Sequence, residues 1–253
     1  MNALSLPRRG VKLAAWAAGS RPLTPTDVVI LLYHRVVPRP AAEIELTPSV
    51  FARQIDRLAR SGRVRSLDRA LAGEGGVVVT FDDGTPDFHE EVLPVLDRHR
   101  LPVVLYVATG AVGARNGIGW GRLGDAAASG LVTFGSHTHD HVDLSRYDAT
   151  TALEQMRRSK ETIEDRLGVP CLDFAFPFAA ASDTSRRVGS RLFRSLATDA
   201  WRINRAPVDR HDLGRTPILR NDGRFFFDRK ASGGLEREAS FYRLARRGPW
   251  RSS

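Results

Sequence analysis

Seven short apolar runs separated by amphipathic stretches constrain this chain most: VVILLY (28–33), VVVTF (77–81), VVLYVA (103–108), LVTFG (131–135), DFAFPF (173–178), RSLAT (194–198) and LGRTPI (213–218). Apolarity within most runs is continuous rather than alternating, which suits strands covered on both faces, as in a parallel sheet. The stretches between them read as helices. In TPSVFARQIDRLARSG, Thr47 offers an N-cap, Pro48 takes the first helical position, and Phe51, Ile55 and Leu58 share a face before Gly62 ends the pattern. In DATTALEQMRRSKETIEDRLG, Leu153, Met156, Ile163 and Leu167 form a second stripe, closed by Gly168 and Pro170.

Strands alternating with helices over roughly 190 residues predict an α/β fold, either a small β/α barrel or an open doubly wound sheet. In both, the ligand site lies beyond the carboxyl ends of the strands. The residues expected there are His34 after the first run, Asp82 and Asp83 after the second, and His137 and His141 after the fourth. Pro177 lies in the fifth run, Asp199 and Trp201 follow the sixth, and Arg215 lies in the seventh.

At 253 residues, 42% hydrophobic and 26% charged, the chain has the composition of one sizeable globular domain with tails. The expected division is a basic N-terminal segment over 1–27, a domain over 28–220 and a basic tail over 221–253. A net charge of +9 invites a nucleic-acid reading, but the arginines are scattered and only three of the 38 basic residues are lysines. No interleaving of aromatic and basic residues along a strand accompanies them, so no nucleic-acid partner is expected. Basic residues do thicken in LPRRGVK and FYRLARRGPWR, where they could contact a membrane surface, although solvated tails are the simpler reading. Cys171 is the single cysteine, which excludes an intrachain disulfide or a cysteine metal cluster and fits a reducing compartment. The N-terminal VKLAAWAAGS resembles the start of a secretory signal but is short and interrupted by Lys12. No run reaches the roughly 20 apolar residues that span a bilayer. A cytoplasmic location, or one peripheral to a membrane through the basic ends, is expected.

VVVTF leads directly into two adjacent carboxylates, Asp82 and Asp83. Neighbours at a strand end point in different directions, so one acid can bind a metal ion while the other stays free to take a proton from a metal-activated water. Gly84 then permits a tight turn. In FGSHTHDHVDLS (134–145), His137 and His141 stand four apart, a spacing that turns both imidazoles towards one metal if the turn is helical, while His139 points elsewhere. Three histidines in five residues could be a surface accident. Beside a carboxylate pair they read as ligands for Zn²⁺ or a similar divalent ion, with positions left open for water and substrate.

TFDDG, SHTHDH and FAFPFA, in this order and at these separations, resemble the first three motifs of the polysaccharide deacetylases, also called carbohydrate esterase family 4 or NodB-homology enzymes. LLYHRV, Trp120 and LGRTPI are similar to a subgroup acting on exopolysaccharides, and the resemblance covers roughly residues 28 to 220. It implies a distorted (β/α)7 barrel, TIM-barrel-like, and metal-dependent removal of N-acetyl, sometimes O-acetyl, groups from an acetylated glycan. It implies Asp82 as general base and Asp83, His137 and His141 as ligands of a divalent metal, Zn²⁺ first and Co²⁺, Ni²⁺ or Mn²⁺ as alternatives. It also implies that Phe176, Pro177 and Phe178 form a wall of the substrate groove, and Thr138 matches a Ser/Thr position that shapes the turn. Tyr33, Trp120 and Trp201 are further candidates to stack on sugar rings. A backbone N–H at Gly84 or the next residue would stabilise the developing oxyanion.

Two departures stand out. Ala179 occupies a position where many relatives have glycine, which restricts the backbone there. Many relatives also carry a late histidine as general acid, where LGRTPI offers Arg215. Arginine stays protonated and anchors carboxylates, so Arg215 is expected to orient Asp82. The proton donor then falls to His34, with His211, Asp199 or water as weaker candidates. The alternative function is a glycan-binding module that has kept the fold and lost turnover.

Overall fold

The computed structural model describes residues 22–234. The N-terminal signal-like stretch and most of the basic tail therefore lie outside the described residues. Each apolar run contributes to one parallel sheet, ordered β10-β1-β4-β5-β6-β7-β8-β9. Its strands are β1 (Val28–Tyr33), β4 (Gly76–Phe81), β5 (Val103–Val107), β6 (Val132–Ser136), β7 (Asp173–Ala175), β8 (Ser195–Thr198), β9 (Leu213–Gly214) and β10 (Thr216–Pro217). Two further short strands, β2 (Arg35–Val36) and β3 (Glu45–Leu46), form a separate ladder after β1.

LGRTPI closes the sheet, but as a broken strand. Leu213 and Gly214 pair with β8, Thr216 and Pro217 pair with β1, and Arg215 stands between the two halves. Its N–H still bonds the Thr198 carbonyl, at 2.9 Å. Counting β9 and β10 as one position, seven parallel strands form the (β/α)7 barrel of the expectation.

Helices α1 (Pro48–Ser61), α2 (Leu93–His99), α3 (Trp120–Ala128), α4 (Ala149–Leu167), α5 (Asp183–Leu192) and α6 (Arg224–Ala231) pack around the strands. In α1 the Thr47 hydroxyl accepts from the Val50 N–H and Gly62 takes the left-handed cap. Such an N-cap contributes about 1 kcal/mol. Phe51, Ile55 and Leu58 are buried, each burial stabilising by roughly 1.5–3 kcal/mol. In α4 the inward face is Ala152, Met156, Ser159 and Ile163, and Leu153 lies exposed beside it rather than within the stripe.

Strand alternation sorts side chains into two cores. Val29, Leu31, Tyr33, Val79, Phe81, Phe134, Phe174 and Phe176 pack with helix residues such as Phe51, Leu96 and Met156. Val28, Ile30, Val78, Val104, Tyr106, Ala175, Ala197 and Leu213 form a second cluster, filling the barrel itself. The parity of this inner set, carried one step up β4, β6 and β9, reaches Asp82, His137 and Arg215.

The folded domain extends beyond residue 220. Helix α6 lies against the barrel with Phe227 and Lys230 buried, and the Lys230 ammonium donates to the Pro217 carbonyl and to Asp222. These contacts make the start of the expected tail part of the domain. Among the described residues, no helix is long and apolar enough to cross a membrane.

Candidate active site at the carboxyl rim

Asp82 and Asp83 leave β4 in different directions. Asp82 is buried (3% exposed), whereas a third of the Asp83 side chain is open to solvent. The divergence is built by the backbone: Asp83 has φ 74° and Gly84 has φ 76°, both left-handed. Glycine adopts that conformation freely; aspartate does so at a modest energetic cost.

Asp83 Oδ1 lies 3.2 Å from His141 Nε2 and 3.7 Å from His137 Nε2. One donor atom from each of these residues falls within 4.8 Å of the others. The two histidines do not converge through a helical turn. The chain bends after β6, with Thr138 at φ 66° and His141 at φ 52°, and the Thr138 hydroxyl accepts from the Val142 N–H at 3.3 Å. Apart from Arg100 at a helix C-cap, the positive-φ non-glycine residues among those described are Asp83, Thr138, His141, Phe178, Ala179 and Trp201. All six follow the strand ends, where backbone strain of this kind accompanies functional sites.

The donor set fits a divalent ion. His137 Nδ1 lies 2.8 Å from the Ala175 carbonyl. Donation there fixes the tautomer and leaves Nε2 with its lone pair towards Asp83 and His141. Burial holds the His137 pKa below its ordinary value against the pull of Asp82 and Asp83, which keeps the imidazole neutral. Burial would raise Asp83, but the His141 hydrogen bond, with the neighbouring imidazoles, brings its carboxyl well below the usual range. The His141 pKa is raised, chiefly by its bond to Asp83. Two imidazoles and a carboxylate match Zn²⁺ chemistry, and the exposed sides of Asp83 and His141 leave room for further ligands.

Asp82 is held differently. Arg215 Nη1 donates to Oδ1 at 2.6 Å and Nη2 to Oδ2 at 2.8 Å, and Nη2 also reaches Asp199 Oδ1 at 2.9 Å. Tyr106 lies beneath the guanidinium, its ring centroid 5.2 Å from Cζ. Gly135 is required here, because a Cβ would stand 2.4 Å from Tyr106 Cδ1. Burial pushes Asp82 up, yet Arg215, followed by His137 and His34, brings its pKa below the normal value. Burial likewise opposes the charge on Arg215, and Asp82 and Asp199 more than restore it. His137 Nε2 is 3.7 Å from Asp82 Oδ2, so the anchored acid borders the donor set.

Several expected groove residues are placed elsewhere. Tyr33 stacks on Phe81 at 5.2 Å and its hydroxyl donates to Gln54, while Phe176 is fully buried against Phe174. Both point outward to the helices by strand parity, so neither faces the rim. Trp120 begins α3 with Arg166 over its ring at 5.9 Å. Pro177 is buried in a short 3₁₀ turn, which replaces the end of the expected fifth strand. Phe178 is 66% exposed, with its ring centroid 4.8 Å from that of His141, and so borders the cluster. Trp201 also stays at the rim, its backbone N–H donating to the Arg215 carbonyl at 3.0 Å.

His34 follows β1 on the same rim, close enough to influence both aspartates. His211 precedes β9 and therefore lies at the opposite end of the barrel. The Gly84 N–H is committed to the Asp82 carbonyl at 3.0 Å and is not available as an oxyanion donor. Asp87, which the motif reading passed over, accepts the Val36 N–H at 2.7 Å and so ties the segment after His34 to the acid motif. The only sequence signal for it is its position four residues past Asp83.

Fold and site together define a (β/α)-barrel protein with a candidate metal centre at its carboxyl rim. Residues 71–193, just under half of the chain, match the polysaccharide deacetylase family model. A poly-β-1,6-N-acetyl-D-glucosamine N-deacetylase of Staphylococcus aureus is 24% identical over 120 residues, 42% of this chain and 41% of the other. The chain thus spans about two fifths of the length of that curated relative. Among solved structures, the Streptococcus pyogenes deacetylase PplD in complex with acetate is similar at TM-score 0.75 and 24% identity, covering 82% of this chain and 99% of that one. IcaB from Ammonifex degensii gives TM-score 0.70 and 24% identity, covering 83% and 98%. These structures share the fold.

Proposed function

We propose that this protein hydrolyses the N-acetyl groups of an N-acetylhexosamine polymer or oligomer, with Asp83, His137 and His141 holding a divalent ion. Zn²⁺ is the ion proposed, with Co²⁺, Ni²⁺ and Mn²⁺ as alternatives. The observation that carries the reading is the division of the two acids. Asp82 is anchored on both oxygens by Arg215, and Asp83 lies within the donor set. A β-1,6-linked N-acetylglucosamine polymer is the first substrate to test, given the named activity of the Staphylococcus aureus relative.

When bound, the ion supplies Lewis acidity, polarising an acyl oxygen and acidifying a water. Asp82, kept ionised by Arg215, accepts the proton of the attacking water as the new C–O bond forms at the acetyl carbon. Arg215 fixes the carboxylate in position and disperses its charge. The C–N bond then breaks, and His34 returns a proton to the departing amine nitrogen, leaving acetate and a free amine. Phe178 and Trp201 offer aromatic surfaces to the sugar rings on either side.

Acetate release from N-acetylglucosamine oligomers of β-1,6 and β-1,4 linkage tests the reading, with and without a chelator. Release that needs the added divalent ion and disappears in Asp82→Asn is expected. Absence of acetate from all of these substrates by metal-loaded protein contradicts it.

A further inference from the structure

Helix α6 falls beyond the stretch that resembles the family, yet it carries a buried cation. Lys230 is 1% exposed. Its Nζ donates to the Pro217 carbonyl at 2.9 Å and to Asp222 Oδ2 at 2.8 Å, and lies 5.3 Å from the centroid of the Trp201 ring. Asp222 Oδ2 also accepts the Leu219 N–H at 2.7 Å, which locks the acid in place. A solitary buried ammonium is unfavourable; this one is satisfied by a carbonyl, a carboxylate and an aromatic face.

The groups that Lys230 joins flank Arg215 on both sides. Pro217 is two residues past Arg215 on β10, and the Trp201 backbone N–H is bonded to the Arg215 carbonyl. Trp201 is held at φ 47°, a strained conformation for a bulky side chain that persists only where its surroundings impose it. Packing from the end of α6 adds to the constraint. A Cβ on Gly233 would stand 2.7 Å from Ile203 Cδ1, so the chain after Trp201 lies directly against the helix terminus. The segment from Asp199 to Ile203 is thus clamped between β10 and α6.

We infer that Lys230 is a positioning residue for glycan binding: through its cation–π contact and its bond to Pro217 it holds the Trp201 ring as a fixed wall of the site. The inference rests on the proposed glycan chemistry. It assigns substrate affinity, rather than the proton-transfer step, to a side chain outside the rim motifs.

The test uses full-length protein and a β-1,6-linked N-acetylglucosamine oligomer. Lys230→Met is made in an Asp222→Asn background, so that no unpaired charge stays buried and the amide oxygen can still accept from Leu219. Against Asp222→Asn alone, KM is expected to rise about tenfold with kcat held within about threefold, the pattern of lost uniform binding. In a Trp201→Ala background the same replacement is expected to have no further effect on KM. Indole emission assigned to Trp201, by difference from Trp201→Phe, is expected to shift when Lys230 is replaced. An equal KM effect with and without Trp201, or a fall in kcat at constant KM, overturns the inference. If the Met variant does not fold, Lys230→Gln in the same background carries the same comparison, and unchanged KM with unchanged Trp201 emission overturns it. A wild-type protein that turns over no glycan removes the underlying chemistry, a failure seen before any variant is compared.

Discussion

Arg215 and Asp82 face each other through two parallel N–H···O bonds of 2.6 and 2.8 Å, with 0% and 3% of their side chains exposed. Arg215 reaches this position because it interrupts the closing strand, with its backbone still bonded to β8 and its side chain directed into the barrel mouth. Lysine cannot reproduce a planar two-pronged contact. Arg215→Lys is therefore expected to lower kcat about a hundredfold or more while KM changes little. Steady-state kinetics on an N-acetylated oligomer checks this, and a kcat near wild type contradicts a role in orienting Asp82.

Gly135 lies beneath the same pair. An added Cβ meets the Tyr106 ring at 2.4 and 2.6 Å and the Asp173 carbonyl at 2.9 Å, two of three contacts being with a fully buried ring. Gly135→Ala is expected to destabilise the fold by about 1–3 kcal/mol and to reduce kcat by displacing Tyr106 from under Arg215. Urea titration and kinetics test the two effects together; an unchanged midpoint excludes the overpacking.

At the other end of β1, Asp27 is 2% exposed and accepts the Thr24 N–H, the Ala206 N–H and the Arg205 guanidinium. Burial raises its pKa, but the hydrogen bonds of Thr24 and Ala206, with Arg205, depress it below the normal value. A depressed folded-state pKa gives stability that is complete above the unfolded value, near 3.9, and is lost as pH falls through the lower folded value. Asp27→Asn should then cost about 1–3 kcal/mol at neutral pH, with the gap to wild type closing below about pH 4. Denaturation midpoints from pH 7 downward measure it, and a gap that does not narrow as pH falls below about 4 contradicts the assignment.

The candidate metal ligands sit at strand ends, with His137 buried and Asp83 and His141 partly exposed. His137→Ala is expected to lower Zn²⁺ affinity at least a hundredfold, measured calorimetrically, while the far-ultraviolet circular dichroism spectrum stays close to wild type. Retention of wild-type affinity removes His137 from the donor set.

Much of the barrel was legible because its strands are apolar on both faces, a pattern few other elements share. VVILLY and VVVTF coincide with β1 and β4 almost to the residue. The interruption in LGRTPI was not legible, since a break around one residue leaves the apolar pattern intact. The acids and histidines stood out by residue type and spacing. Their convergence depends on left-handed residues at Asp83, Thr138 and His141, which side-chain chemistry does not announce. Tyr33 and Phe176 lie at strand ends, where aromatic character alone does not separate a groove residue from a core one. One step along a strand reverses the face, which sends both rings to the helices. Lys230 gave no signal, because a lone lysine in a basic stretch reads as solvated until its partners from Asp222, Pro217 and Trp201 are brought together.

The most direct measurement is acetate release from an N-acetylglucosamine oligomer by metal-loaded wild-type protein and by Asp82→Asn, with metal content determined for both. The account predicts equal metal occupancy, acetate from the wild type and at least a thousandfold less from the variant, as for loss of a general base. Comparable acetate release by the two proteins, or bound glycan with no acetate from wild type, contradicts it.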